Sequence, residues 1–253
     1  MKKCIAFLIV LIIVATKVSA QSGSKEMLYD KFWSAGLNIT NNGFNFNYSR
    51  GLITDVHTRK FYEIEFATIH DSKEYKQTKE NPFQQTNIPN PKPFVYGKQN
   101  SFYNLNISYG VYKELGRRAE RAGVSVGIKF IGGISLGILK PYCLQLKYPG
   151  DNFTDTLKSE RYTESNKNLF LNLNSIYGSS SFTQGLSHLK FIPGIHGKIG
   201  MHFDYAIYNE YLKAIEAGVF FNVYYKVVPI MLVKKNQQFY PGIYVGFEFG
   251  KKS

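Results

Sequence analysis

The sequence predicts an all-β fold, an antiparallel transmembrane β-barrel of eight strands with ten as the alternative. Three observations lead there. Near the end of the chain Ile243, Val245, Phe247 and Phe249 alternate with Tyr244, Gly246 and Glu248, and a two-residue period belongs to a strand. The same alternation recurs upstream over most of the chain. Charged residues are only 19% of the sequence while Phe (20) and Tyr (19) are abundant, which suits strands that turn one face to lipid.

The first element is an export signal. Lys2 and Lys3 precede an apolar stretch, Ile5–Ala15, and Val18-Ser19-Ala20 forms a small-x-small cleavage site. The expected organisation is a signal peptide over 1–20 and one barrel domain over 21–253, the mature chain starting at Gln21. Cys4 lies before the apolar stretch and no cysteine stands at the cleavage site, so a lipid-modified N-terminus is not expected. The mature chain keeps only Cys143, so packing and hydrogen bonds rather than an internal disulfide must hold it. No later stretch approaches the ~18 apolar residues of a membrane helix.

Eight strands follow. In Phe32–Ile39, Leu37 and Ile39 share a face, and Asn41-Asn42-Gly43 makes a tight turn. In Phe44–Ser49, Phe44, Phe46 and Tyr48 alternate with Asn45, Asn47 and Ser49. In Lys60–Ile69, Tyr62, Ile64 and Phe66 oppose Glu63, Glu65 and Ala67. In Phe102–Tyr112, Tyr103, Leu105, Ile107 and Tyr109 oppose Asn104, Asn106, Ser108 and Gly110. The long segment Val124–Leu139 sets Val126, Ile128, Phe130 and Ile134 against Ser125, Lys129 and Ser135. Gly197–Tyr205 sets Ile199, Met201 and Phe203 against Lys198, His202 and Asp204. Ile215–Val227 sets Ala217, Val219, Phe221 and Tyr225 against Glu216, Asn222, Tyr224 and Lys226. Tyr240–Phe249 closes the set. The second and sixth strands look short for a crossing. A hairpin of Cys143–Tyr148 with Leu169–Tyr177 would raise the number to ten.

The connections have their own pattern. With the N-terminus in the periplasm, the even connections (50–59, 113–123, 206–214) are short, and the long ones, 70–101 and 140–196, are both odd. Short periplasmic turns and long external loops are the habit of outer-membrane barrels. Pro82, Pro89, Pro91 and Pro93 mark an extended, strand-free stretch.

Several motifs carry a resemblance. Gly132-Gly133-Ile134-Ser135-Leu136-Gly137-Ile138-Leu139-Lys140-Pro141-Tyr142, Phe191-Ile192-Pro193-Gly194, Val228-Pro229-Ile230-Met231 and the ending Phe249-Gly250-Lys251-Lys252 resemble those of small exported proteins of Bacteroidota. These are Gram-negative outer-membrane β-barrel or porin-like proteins of unassigned function, and Gln21 at the mature start suits them. The resemblance implies fold and location, and brings no catalytic residue with it.

The formal charge is +13, or +10 without Lys2, Lys3 and Lys17 of the leader. An exported barrel meets no nucleic acid routinely, so the expected partners are outer-membrane lipid and lipopolysaccharide phosphates, with other outer-membrane proteins as a further class. The inward faces collect charge: Glu63, Glu65, Asp204, Glu216 and Glu248 against Lys129, Lys198, Lys226 and, less regularly, Arg50, with His202 among them. In a lumen only wide enough for side chains, such charges must pair. The expectation is an ion-pair plug made by Glu63, Glu65, Lys129, Lys198, His202, Asp204, Glu216, Lys226 and Glu248. A narrow porin-like channel is the alternative.

Catalytic chemistry is not expected. His70-Asp71-Ser72 sits at a strand end, but consecutive extended residues point to opposite sides and make a poor triad. His202 beside Asp204 fits the plug better than an acid–base pair. His57, His188 and His196 are scattered, no His/Cys group has metal spacing, and no cofactor motif is present. The expected function is therefore non-enzymatic: a structural or interaction barrel, or a subunit of a larger outer-membrane assembly. A lipid-modifying enzyme is a more remote reading. A soluble lipocalin-like barrel, with the faces reversed, is the alternative fold.

Overall fold

The structure is a computed structural model that describes residues 29–55, 57–79, 90–116, 123–148, 156–207, 210–233 and 235–253. The expected signal peptide, Pro82 and Pro89 lie outside these residues. In chain order the strands are β1 (Lys31–Thr40), β2 (Gly43–Asp55), β3 (Thr58–Ile69), β4 (Lys76–Gln77), β5 (Phe94–Val95), β6 (Asn100–Gly116), β7 (Ser125–Pro141), β8 (Cys143–Tyr148), β9 (Thr156–Arg161), β10 (Ile176–Ser179), β11 (Lys190–Asp204), β12 (Tyr211–Val228) and β13 (Gln237–Lys252). Strands β1, β2, β3, β6, β7, β11, β12 and β13 form a closed antiparallel barrel, with β1 sealing against β13 from Phe32↔Lys252 to Thr40↔Tyr244. The predicted eight-stranded barrel is the fold.

The ten-strand alternative falls. Cys143–Tyr148 is a strand, but it pairs with β9 and β10 in a separate three-stranded sheet. Of Leu169–Tyr177 only the last two residues are strand; short helical turns take the rest, helped by Asn172, whose side chain accepts from the backbone N–H of Asn174. The proline-containing segment also holds a small two-stranded sheet, β4 with β5. The second and sixth barrel strands are longer than predicted, at 13 and 15 residues. Their ladders continue through Arg50–Asp55 and Lys190–His196, where glycine, proline and polar residues weaken the apolar alternation without breaking the pairing.

The barrel has two unlike ends. The lower end holds both ends of the wall, at Lys31 and Lys252, and the turns after β2, β6 and β11. The upper end holds the Asn41–Asn42 turn, the small sheets and the connection after β12. Length and parity predicted this grouping. At the upper end a packed cluster of Phe94, Leu144, Leu146, Phe170 and Ile176 gives the loops a core of their own. Backbone bonds from Gln99 to Ile230 and from Leu232 to Gly97 stitch them over the mouth.

Alternation decides which face is which. Leu37, Ile39 and Ile134 on the outer wall are 64%, 77% and 65% exposed, whereas Glu63 and Lys198 inside are 1% and 2% exposed. A lipocalin-like barrel requires the reverse. The lumen is layered. At its lower end lie Phe32, Phe61, Tyr112 and Ile131. The charged residues lie above, then a band of asparagines. Phe102, Leu139, Ile192, Tyr224 and Tyr240 close the top, joined from the loops by Val95, Ile230 and Met231.

Closure depends on close approach at the seam. A Cβ on Gly246 would lie 1.9 Å from Asn38 Oδ1 and 2.4 Å from the carbonyl oxygen of Leu37, whereas one on the outward Gly132 would meet nothing within 4 Å. Gly246→Ala is expected to cost about 1–3 kcal/mol through overpacking, and Gly132→Ala to be nearly neutral. Urea midpoints of the two refolded variants in detergent check this; equal midpoints would show that the seam tolerates extra volume.

Candidate functional site

The charged layer of the lumen is the most concentrated chemistry in the molecule. Five strands supply it, because each contributes every second residue to the interior: β3 gives Glu63 and Glu65, β7 Lys129, β11 Lys198 and His202, β12 Glu216, and β13 Tyr244 and Glu248.

Two lysines organise it. Lys198 Nζ lies 3.4 Å from Glu63 Oε1, 3.3 Å from Glu65 Oε2 and 3.9 Å from Glu216 Oε1, and 4.6 Å from the centre of the Tyr244 ring. Lys129 Nζ donates to Glu216 Oε2 at 2.8 Å and also to Glu248 Oε2. Three further carboxylate oxygens find neutral donors. Tyr244 donates its hydroxyl to Glu216 Oε1 at 2.6 Å, Ser49 and Asn47 donate to Glu63 Oε2 at 2.9 and 3.2 Å, and Asn106 donates to Glu65 Oε1 at 2.9 Å. Buried carboxylates held by both ammonium groups and hydrogen bonds avoid the penalty of isolated charge.

His202 is fully buried with its ring edge-on to Tyr112. Its Nδ1 is 3.4 Å from Glu248 Oε2 and 3.7 Å from Glu216 Oε2, yet neither ring nitrogen makes a hydrogen bond among the described residues. His202, Glu216 and Glu248 bring donor atoms within 4.8 Å of one another, a spacing compatible with a cation. The Lys129 ammonium already bonds the same Oε2 atoms of both glutamates and takes that place electrostatically. The trio has one histidine and no cysteine, and its members lie far apart in the sequence and become neighbours through the pairings His202↔Glu216 and Glu216↔Gly246.

Most of the residues expected in the plug meet here: Glu63, Glu65, Lys129, Lys198, His202, Glu216 and Glu248. Three expected positions differ. Lys226 is exposed at the upper end of β12, where the inward face ends at Tyr224, and its Nζ lies 5.7 Å from the Tyr225 ring centre. Arg50 points outward, as strict alternation after the buried Ser49 requires. Asp204 is buried but lies at the lower end. Its Oδ1 accepts from the backbone N–H of Ala206 at 3.0 Å, and its Oδ2 is 3.8 Å from Lys252 Nζ. It does not bond His202, two residues along the same face.

Sequence reading overlooked the asparagine layer. Asn38 donates to Asn45 at 2.6 Å, Asn104 to Asn222 at 3.2 Å and Ser135 to Asn104 at 2.6 Å; His196 Nδ1 sits 2.8 Å from Asn222 Oδ1. The recurring inward Asn in β1, β2, β6 and β12 was the available signal. At the upper rim His70-Asp71-Ser72 belongs to a turn: Asp71 accepts from the backbone N–H of Lys73 at 3.0 Å, and Glu74 Oε1 accepts from that of Asp71 at 3.1 Å.

No protein-family model matches the chain, and no curated protein matches it. Among solved structures it is similar to Neisserial surface protein A, at 9% identity over 88% of this chain and 95% of that one with a TM-score of 0.38. It is similar at 7% identity to the N-terminal β-barrel domain of Pseudomonas aeruginosa OprF (88% and 97% covered, TM-score 0.35), and at 8% to the attachment invasion locus protein Ail of Yersinia pestis (89% and 100%, 0.38). The fold of this chain rests on its own strand pairing.

The network makes a direct prediction. Lys198→Met leaves Glu63 and Glu65 without their ammonium and is expected to cost about 3–5 kcal/mol. Adding Glu65→Gln should restore part of the loss. A double-mutant cycle on urea unfolding in detergent measures it, and additive losses would mean that Lys198 and Glu65 are not coupled.

Proposed function

We propose that the protein is a non-enzymatic outer-membrane barrel, closed to solutes, that carries a folded sheet on its external side in a structural or interaction role, alone or within a larger outer-membrane assembly. The observation that carries this reading is the sealed, layered lumen inside an apolar wall. The charged layer lies between an apolar layer below and an aromatic one above, so a solute would have to displace both. The continuous exposed apolar wall supports a place in lipid, because a barrel satisfies its backbone hydrogen bonds internally and can present such a face to a bilayer. The export signal and the Bacteroidota-like motifs support the outer membrane of such a bacterium, and the upper end, with its long connections, then faces outward.

The external sheet is a second packed unit rather than a set of loose loops. Part of the basic charge at this end serves local packing: Lys147 and Lys158 of the sheet lie 5.7 and 5.3 Å from the ring centres of Tyr177 and Tyr148, and Lys140 of β7 lies 3.6 Å from that of Phe182. The exposed Lys73, Lys76, Lys167, Lys190 and Lys235 are the groups suited to lipopolysaccharide phosphates.

Three measurements test the reading. In planar bilayers the purified protein is expected to give no stable ohmic conductance; a porin-sized one would replace the closed barrel with the channel. Val219→Arg, on the outer wall opposite Ile199 and Ile243, is expected to weaken folding into vesicles by about 2–4 kcal/mol, and an unchanged equilibrium would take Val219 out of the lipid. For orientation, Gln184→Cys and Thr54→Cys are made separately in a Cys143→Ser background, Cys143 itself being a slow target because burial raises its thiol above the ordinary range. On whole cells an impermeant maleimide should label position 184 and leave position 54 protected. The reverse pattern would invert the topology.

A further inference from the structure

The lower rim of the wall carries a feature that the sealed lumen does not account for. A pocket of about 480 Å³ opens there, lined by Lys31, Phe32, Trp33, Tyr48, Arg50 and Ser253. Strand pairing builds it. Arg50 stands opposite Trp33 on β1 and Tyr62 on β3, and Leu52, the next outward residue of β2, stands between Lys31 and Lys60. Three cations from three adjacent strands thus gather on one outward patch. No salt bridge joins Lys31, Arg50 or Lys60 to an acid of the described residues. Asp30, next to Lys31, is tied by backbone bonds with Ser253 and Ile53. Directly above the pocket Ala35 lies between Tyr48 and Phe249, with Leu37 next along its strand. A methyl group flanked by two rings leaves a furrow in the apolar wall.

The position of Arg50 is the unusual part. It sits level with Trp33 and Tyr62, at the height where amphipathic rings meet headgroups, rather than beyond the last outward residues. A guanidinium there has its alkyl stem among rings, and no acid of the described residues bridges its planar fork, which suits a doubly bonded anion.

We infer that this pocket binds the headgroup of an acidic phospholipid. Arg50 and Lys31 hold the phosphodiester, Trp33 and Tyr48 flank the glycerol, and one acyl chain lies in the furrow at Ala35. This rests on the membrane reading above, which puts the lower rim in the periplasm-facing leaflet. A zwitterionic choline headgroup fits less well, because its ammonium would face Arg50, Lys31 and Lys60 together.

The chain supplies its own reporter, since Trp33 is its single tryptophan. The mature barrel is refolded into phosphatidylcholine vesicles containing an equal mole fraction of either phosphatidylglycerol or phosphatidylcholine with brominated acyl chains, which quench tryptophan on contact. Brominated phosphatidylglycerol is expected to quench Trp33 severalfold more strongly than brominated phosphatidylcholine. Arg50→Gln with Lys31→Gln should remove that difference while leaving the phosphatidylcholine quenching intact. Equal quenching by the two lipids in the wild type would overturn the site and leave the membrane reading standing. Absence of quenching by both would overturn the membrane reading itself. Loss of the preference on adding inorganic phosphate would mean that the pocket recognises phosphate rather than the lipid.

Discussion

Everything inside this barrel answers to one constraint: carboxylates enclosed where water has little room must be neutralised by groups that the strands themselves bring. Glu63, Glu65, Glu216 and Glu248 outnumber Lys129 and Lys198. The shortfall is met by position. Each lysine serves more than one acid, and Tyr244, Ser49, Asn47 and Asn106 donate to further oxygens of Glu216, Glu63 and Glu65. Such a network ties register to stability. A one-residue slip of β3 or β12 would carry its glutamates to the outer wall and strip the interior lysines of part of their neutralising partners. The ion pairs therefore act less as a source of stability than as a selector of one strand alignment, a role buried charge is known to play elsewhere.

Much of this was legible in the sequence, and the limits were physical. Alternation assigns faces wherever apolar residues mark every second position, so Glu63, Lys129, Lys198, Glu216 and Glu248 could be placed inside before any pairing was known. It says nothing about which acid meets which base. Lys198 of β11 reaches Glu63 and Glu65 of β3 across the lumen, and no spacing along the chain encodes that. Alternation also loses the ends of strands. In Arg50–Asp55 and Lys190–His196 glycine, proline and polar residues interrupt the apolar pattern although the backbone pairing continues, so they read as loop, and His196 was missed as an interior residue. Lys226 failed for the opposite reason: the period was carried past Tyr224, where the interior stops.

The external sheet shows a different limit. Cys143–Tyr148 has the alternation of a barrel strand, and its pattern is equally consistent with a small sheet that buries Leu144 and Leu146 against Phe170 and Ile176. What separates the two is the partner. The barrel already closes between β7 and β11 through fifteen paired residues from Lys190↔Leu139 to Asp204↔Ser125, and this leaves no free edge for two more strands. A closed sheet has no edges to extend, so strand-forming sequence in the loops must build its own layer outside.

The two ends then differ in kind, and the difference follows from what the wall can and cannot do. With the lumen filled, selectivity has to reside on surfaces. At the upper end Lys147 and Lys158 are spent on ring faces within the small sheet and Lys140 of β7 on the ring of Phe182, which makes that surface aromatic as well as basic. At the lower end Arg50 stands at the level of Trp33 and Tyr62, with Lys31 and Lys60 one outward position below it on either side of Leu52. Cations beside amphipathic rings hold a barrel at one depth when the neighbouring headgroups are acidic, since rising would bury their charge and sinking would pull the rings into water. On the membrane reading proposed above, the rim with the short connections would then fix the height of the barrel in lipid, and the opposite end would present its sheet at a constant distance from the membrane surface.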